Sequence, residues 1–124
     1  MDMVIGFGRF AQNGTAATTS ATGAYFQYDS SVSTNWNLVS RTSASNAATT
    51  TLSVGPAQNT TQILRGEVGS SSVRFLINGI FVGEVSGFIP SQQQDLEIWL
   101  QTQTASVRTV DIDYIWVGAN AGRI

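Results

Sequence analysis

The residues best placed by type and spacing for acid–base, metal or stacking chemistry sit in three short stretches of this chain. "DLEIWLQTQ" carries Asp95 and Glu97 one residue apart, followed by Trp99, Gln101 and Gln103. "TVDIDYIWVG" carries Asp111 and Asp113 beside Tyr114 and Trp116, and "GAYFQYD" alternates Tyr25 and Gln27 with Phe26 and Tyr28. On a strand, side chains two residues apart share a face. Each acidic pair is therefore spaced to work on one substrate, as acid and base at a glycosidic bond. Asp111 and Asp113 have a second use, holding a calcium ion together with backbone carbonyls and Asp29 or Asn35. The plainer reading of both pairs is a solvated strand face, with Arg41, Arg65 or Arg108 as counter-charges to Asp111 and Asp113.

Trp99 stands on the polar side of its stretch with Glu97, Gln101 and Gln103, while Leu96, Ile98 and Leu100 form the other side. An aromatic ring among amides and carboxylates can stack on a sugar and fix its hydroxyls. Trp99, Tyr25, Gln101, Glu97 and Gln27 form the candidate glycan site on that logic. The competing reading buries Trp99 under a loop or against another subunit. Since Tyr25 and Gln27 alternate with Phe26 and Tyr28, one of the two aromatic sets is expected to face outward or into a shallow cleft. Trp36, alternating with Leu38, reads as core.

What the chain lacks excludes more chemistry than its motifs include. It has no Cys and no His, and its six basic residues are all arginines. Zinc sites of the usual ligand types, thiol nucleophiles and Ser-His-Asp triads are therefore out of reach, and no cofactor is expected. The arginines run from Arg9 to Arg123 without a cluster and the net charge is −2, so phosphate neutralisation along a nucleic acid is not expected. There is neither a charged-then-apolar leader nor an apolar run long enough to span a bilayer, so no membrane partner is expected. With 124 residues, 42% of them hydrophobic and 11% charged, residues 1–124 read as one folded domain with a sparsely charged polar surface.

Short alternating segments divided by Gly, Ser, Asn and Thr clusters predict an all-β domain without helices. Strands are expected at "MVIGFGRF", "GAYFQYD", "NWNLVSRT", "ATTTLSV", "DLEIWLQT" and "VRTVDIDYIWV". "AQNGTAATTSATG" reads as a loop and "RTSASNAATTT" as a turn entering a Thr-rich strand. The sharpest unit is "GEVGSSSVRFLINGIFVGEV". Asn78-Gly79 suits a type I′ turn, which sets Ile77 opposite Ile80, Phe75 opposite Val82 and Val73 opposite Glu84. A loop at Gly69–Ser72 sets Val68 opposite Val73, Gly66 opposite Phe75, Leu64 opposite Ile77 and Glu67 opposite Arg74. Gly66 would leave room for the Phe75 ring, and Pro90 would end the strand after the turn. In the last segment Val110, Ile112, Tyr114 and Trp116 read as buried, and Asp111 and Asp113 as wet.

The order "GAYFQYD", "NWNLVSR", "ILRGEV", "VRFLINGIFVGEV", "IP" and finally "VDIDYIWV" resembles the concanavalin A-like lectin/glucanase jelly roll over roughly residues 4–117. It is similar, more narrowly, to jelly-roll domains of bacteriophage virion proteins, and more distantly to the last half of family 16 glycoside hydrolases. The resemblance implies an antiparallel β-sandwich closing on a strand with a Val-Asp-Tyr-like signature, here Ile112-Asp113-Tyr114. Such domains usually carry further strands before the point where this chain begins. The chain is then a minimal version, a fragment truncated on its N-terminal side, or one member of an oligomer whose neighbour covers an open edge. The family's Glu-Asp-Glu catalytic run has no counterpart here.

The resemblance therefore implies a non-catalytic structural module of a virion surface, in a capsid decoration, fibre or tail-associated domain. Its partners would be further copies of itself or other virion proteins. The alternative is a carbohydrate-binding module with a glycan partner, on a particle or a secreted protein; a glucanase-like hydrolase is the remote third reading.

Overall fold

The computed structural model describes residues 2–9, 22–43, 46–90, 95–101, 109, 111–112, 115 and 117–118. Among these there is no helix. The strands are β1 (Asp2–Arg9), β2 (Thr22–Asp29), β3 (Asn37–Arg41), β4 (Ala47–Thr51), β5 (Leu64–Val68), β6 (Ser72–Ile77), β7 (Ile80–Ser86) and β8 (Asp95–Gln101). They form two antiparallel sheets, one ordered β4-β3-β2-β1-β8 and the other β5-β6-β7. The loop expected at "AQNGTAATTSATG" falls almost wholly outside the described residues.

The sheets face each other because each carries an apolar set at every second residue. Met3, Ala24, Phe26 and Leu38 of the larger sheet pack with Val73, Phe75, Ile77 and Val85 of the smaller one, and Trp36 and Leu52 close one side. β7 lies over β3 and β4, and β5 over β2. Phe26 is the hub of this layer, meeting Phe75 edge-on at 5.0 Å between ring centroids and Trp36 at 5.8 Å. Each fully buried side chain of this size stabilises the fold by roughly 1.5–3 kcal/mol.

The smaller sheet follows the expected meander. Leu64↔Ile77, Gly66↔Phe75, Glu67↔Arg74 and Val68↔Val73 are the observed pairs. The Asn78-Gly79 turn has φ of 53° and 79°, as a type I′ turn requires. Asn78 also ties this turn to the start of β5: Ile63 N donates to Asn78 Oδ1 at 2.8 Å, while Asn78 N donates to Ile63 O at 2.8 Å. Three expectations need correction. After Ile77↔Ile80 and Leu76↔Phe81 the ladder slips, so Phe75 faces Gly83 instead of Val82, and Val73 faces Val85 instead of Glu84. The strand ends at Ser86, before Pro90, where Gly87 and Phe88 both take positive φ. Buried Ser40 holds that bend by donating from Oγ to the Phe88 carbonyl at 2.8 Å. A Cβ at Gly66 would meet nothing nearer than Phe75 Cε1 at 3.9 Å, so the ring does not require a glycine there.

The middle of the larger sheet is dry on both faces. Val4, Tyr25 and Val39 cluster on the face away from the sandwich core, yet all three are buried. Tyr25 and Phe26 are therefore both interior, and the expectation that one aromatic set of β2 faces outward or into a shallow cleft is not met at either residue. Pairing is tight there: at Gly6, with φ of 153°, a Cβ would lie 2.7 Å from Ala24 O and from Tyr25 Cα. Of the closing strand expected over 107–117, only Thr109, Asp111, Ile112, Ile115 and Val117 are among the described residues. Thr109, Asp111, Ile112, Ile115, Val117 and Gly118 lie outside any strand, and Ile112, read as buried, is 51% exposed. Asp111 is exposed as expected; Val110, Asp113, Tyr114 and Trp116 are outside the described residues.

Candidate functional site

Register, rather than proximity in sequence, assembles the candidate residues. Val4 pairs with Gln27 on one side and Trp99 on the other, Gln27 pairs with Asn37, and Asn37 with Thr51. One row across the larger sheet thus reads Thr51, Asn37, Gln27, Val4, Trp99. The neighbouring row on that face reads Thr49, Val39, Tyr25, Gly6, Glu97, and Asp2 links Asp29 to Gln101. Trp99, Tyr25, Gln101, Glu97 and Gln27 therefore occupy positions on one face of three adjacent strands. For Trp99, Glu97 and Gln101 the register gives the position.

The two rows differ in what they can offer. In the first, Thr51 is exposed and Asn37 and Gln27 are half-buried. Thr51 Oγ1 donates to Asn37 Oδ1 at 2.7 Å, which orients the amide. In the second, Tyr25 is 1% exposed and gives a sugar no face to stack on. This corrects its place in the glycan set: the ring is buried in a cluster with Val4 and Val39. Burial pushes the Tyr25 phenol above its ordinary value, and the nearby Arg41 charge offsets part of that rise. Tyr25 is a neutral core group at ordinary pH. Asn37 and Thr51 are the members that the sequence did not disclose, since only the β2-β3 and β3-β4 pairings bring them into line with Gln27.

The acidic pairs gain little from the fold. Asp95 and Glu97 lie opposite Gly8 and Gly6, at positions where no third acid pairs with them. Asp29, proposed to assist a metal, already accepts from Ser31 N at 2.9 Å and Ser31 Oγ at 2.6 Å through Oδ1. The N–H of Asn35 donates to Ser33 Oγ. Among the described residues no three His, Cys, Asp or Glu side chains come together as a metal site, and Asp113 lies outside them.

The outward face of the smaller sheet carries the described ion pairs. Arg65 Nη2 lies 2.7 Å from Glu67 Oε1, and Arg74 Nη1 3.8 Å from Glu67 Oε2. The Arg74 guanidinium also sits 5.2 Å from the Phe81 ring centroid. All three ionic side chains are substantially exposed, so water screens these pairs and each is worth little to stability. Comparison with protein-family models, curated proteins and solved structures matched this chain to none of them.

Proposed function

We propose that this domain is a non-catalytic building module, a concanavalin A-like jelly roll that serves a bacteriophage particle as a capsid decoration, fibre or tail-associated domain. It acts in assembly or surface attachment, on the virion surface or otherwise outside the cell, together with copies of itself or other virion proteins. The observation that carries this reading is apolar exposure around the smaller sheet: Ile63 just before β5, Val68 at the end of β5, and Ile80 and Phe81 at the start of β7 are all exposed, Ile80 at 69%. Water-facing apolar side chains of this kind favour association. The sandwich supports the jelly-roll assignment, because β8 returns beside β1 after the β5-β6-β7 excursion. Light scattering should find a closed oligomer. A compact monomer retained on a polysaccharide column would overturn the reading.

A second reading, carbohydrate binding, is favoured by the row Thr51, Asn37, Gln27, Val4, Trp99. It places a tryptophan position in register with two amides and a hydroxyl, across the fully buried Val4 that lies between Gln27 and Trp99. Trp99→Ala should then abolish binding on a glycan array while thermal stability stays nearly unchanged. If the intact protein retains no glycan, this reading is lost.

A further inference from the structure

We infer that β5 is the assembly edge and that its occupant is β5 of a second copy of this chain, running antiparallel about a two-fold axis at Gly66. The inference deepens the assembly reading and rests on it. Among the described residues β5 is the outer strand of its sheet. Its neighbouring residues show which way its backbone points. Asn78 N donates to Ile63 O, and Gly69 N donates to Ser72 O, so residues 63 and 69 turn their peptide groups toward β6. Peptide groups alternate sides along an antiparallel strand. Those of Arg65 and Glu67 therefore face β6, while the N–H and C=O groups of Leu64, Gly66 and Val68 face the open edge.

The sequence of β5 is a chemical palindrome: apolar Leu64, cationic Arg65, Gly66, anionic Glu67, apolar Val68. A two-fold axis through Gly66 sets Gly66 against Gly66, Leu64 against Val68 and Arg65 against Glu67, each of the last two pairings occurring twice. Every outward N–H of one strand then meets an outward carbonyl of the other. An isologous interface needs a patch that complements itself, and β5 supplies this in hydrogen bonding, charge and apolarity together. Gly66 and Val68 are exposed in the single chain. Arg65 and Glu67 already pair within one strand at 2.7 Å, and the axis adds a second Arg65–Glu67 couple beside the first. The two copies would share one continuous sheet, β7-β6-β5-β5-β6-β7.

The test is a charge exchange read by sedimentation across a protein dilution series, with circular dichroism to check that each variant is folded. Arg65→Glu and Glu67→Arg each convert two opposite-charge pairs into two like-charge pairs, so each variant alone should self-associate at least about tenfold more weakly than wild type. In the mixture, one all-acidic β5 meets one all-basic β5, and both cross-axis pairs become opposite in charge again. Association should then return to near the wild-type level. A wild type that associates while both variants and their mixture behave like it overturns the β5 edge and leaves assembly standing. A wild type that stays monomeric at every concentration overturns both.

Discussion

Asn78 is the residue where one substitution tests both local conformation and a long-range tether. Its φ of 53° is in the left-handed region, which Asn tolerates and Ala resists by about 1–2 kcal/mol. Its Oδ1 also accepts from Ile63 N at 2.8 Å, holding the start of β5 to the β6-β7 turn. Because Ile63 is exposed, water can replace that acceptor, so its loss costs about 0.5 kcal/mol, the low end for a hydrogen bond. Asn78→Ala should therefore lower stability by about 2 kcal/mol. Asn78→Gly keeps the φ but loses the acceptor and loosens the unfolded chain, for a total near about 1 kcal/mol. Asn78→Asp keeps both the conformation and an acceptor oxygen, and should stay within about 0.5 kcal/mol of wild type. Urea unfolding followed by the fluorescence of buried Trp36 measures all three, at one fixed protein concentration so that association does not enter. Equal losses in the Ala and Gly variants would refute the conformational part of this reasoning. An Ala variant as stable as wild type would refute all of it.

The other glycines and tyrosines of the sheets give sharper contrasts. Gly6→Ala should destabilise by about 2 kcal/mol or more, because its Cβ would press on the Ala24 carbonyl and the Tyr25 backbone at 2.7 Å. Gly66→Ala, where a Cβ reaches only ordinary contact, should be neutral or stabilising by up to about 1 kcal/mol; thermal unfolding of the pair that fails to separate them would contradict the packing described. Ultraviolet titration should show one tyrosine ionising above the ordinary 10.0, absent in Tyr25→Phe, and unaltered titration in that variant would show that the late group is elsewhere. The sign follows from linkage: the unfolded chain ionises Tyr25 first, so this contribution is intact below pH 10.0 and declines as pH rises from there through the raised folded value.

Local pairing was open to sequence reading and distant pairing was not. The β5-β6 register could be read because two short turns bracket it and both put the same apolar residues on one side. Trp36 likewise followed from alternation with Leu38. The slip between Phe75 and Leu76 carries no such mark, since Val82 and Gly83 are each acceptable opposite Phe75. Tyr25 was misplaced for a related reason: alternation assigns residues to faces but does not say that both faces are covered. The same limit hid the Thr51-Asn37-Gln27-Trp99 row, whose members lie on four strands. The apolar-acid-aromatic run at Ile112 suggests an alternating strand with Ile112 inward, whereas Ile112, Ile115 and Val117, which alternation would place on opposite faces, are all exposed.

The pairing of β8 with β1 has a kinetic meaning as well. Ile5 lies opposite Ile98, so this ladder closes a loop of nearly the whole described chain, while β5, β6 and β7 join through two tight turns. Loop closure over long separations is entropically costly and slow. The meander is therefore the part able to form early, and the β1-β8 ladder is expected to close late. Until then β1 is itself an open edge, the moment at which a nascent chain is most exposed to mispairing.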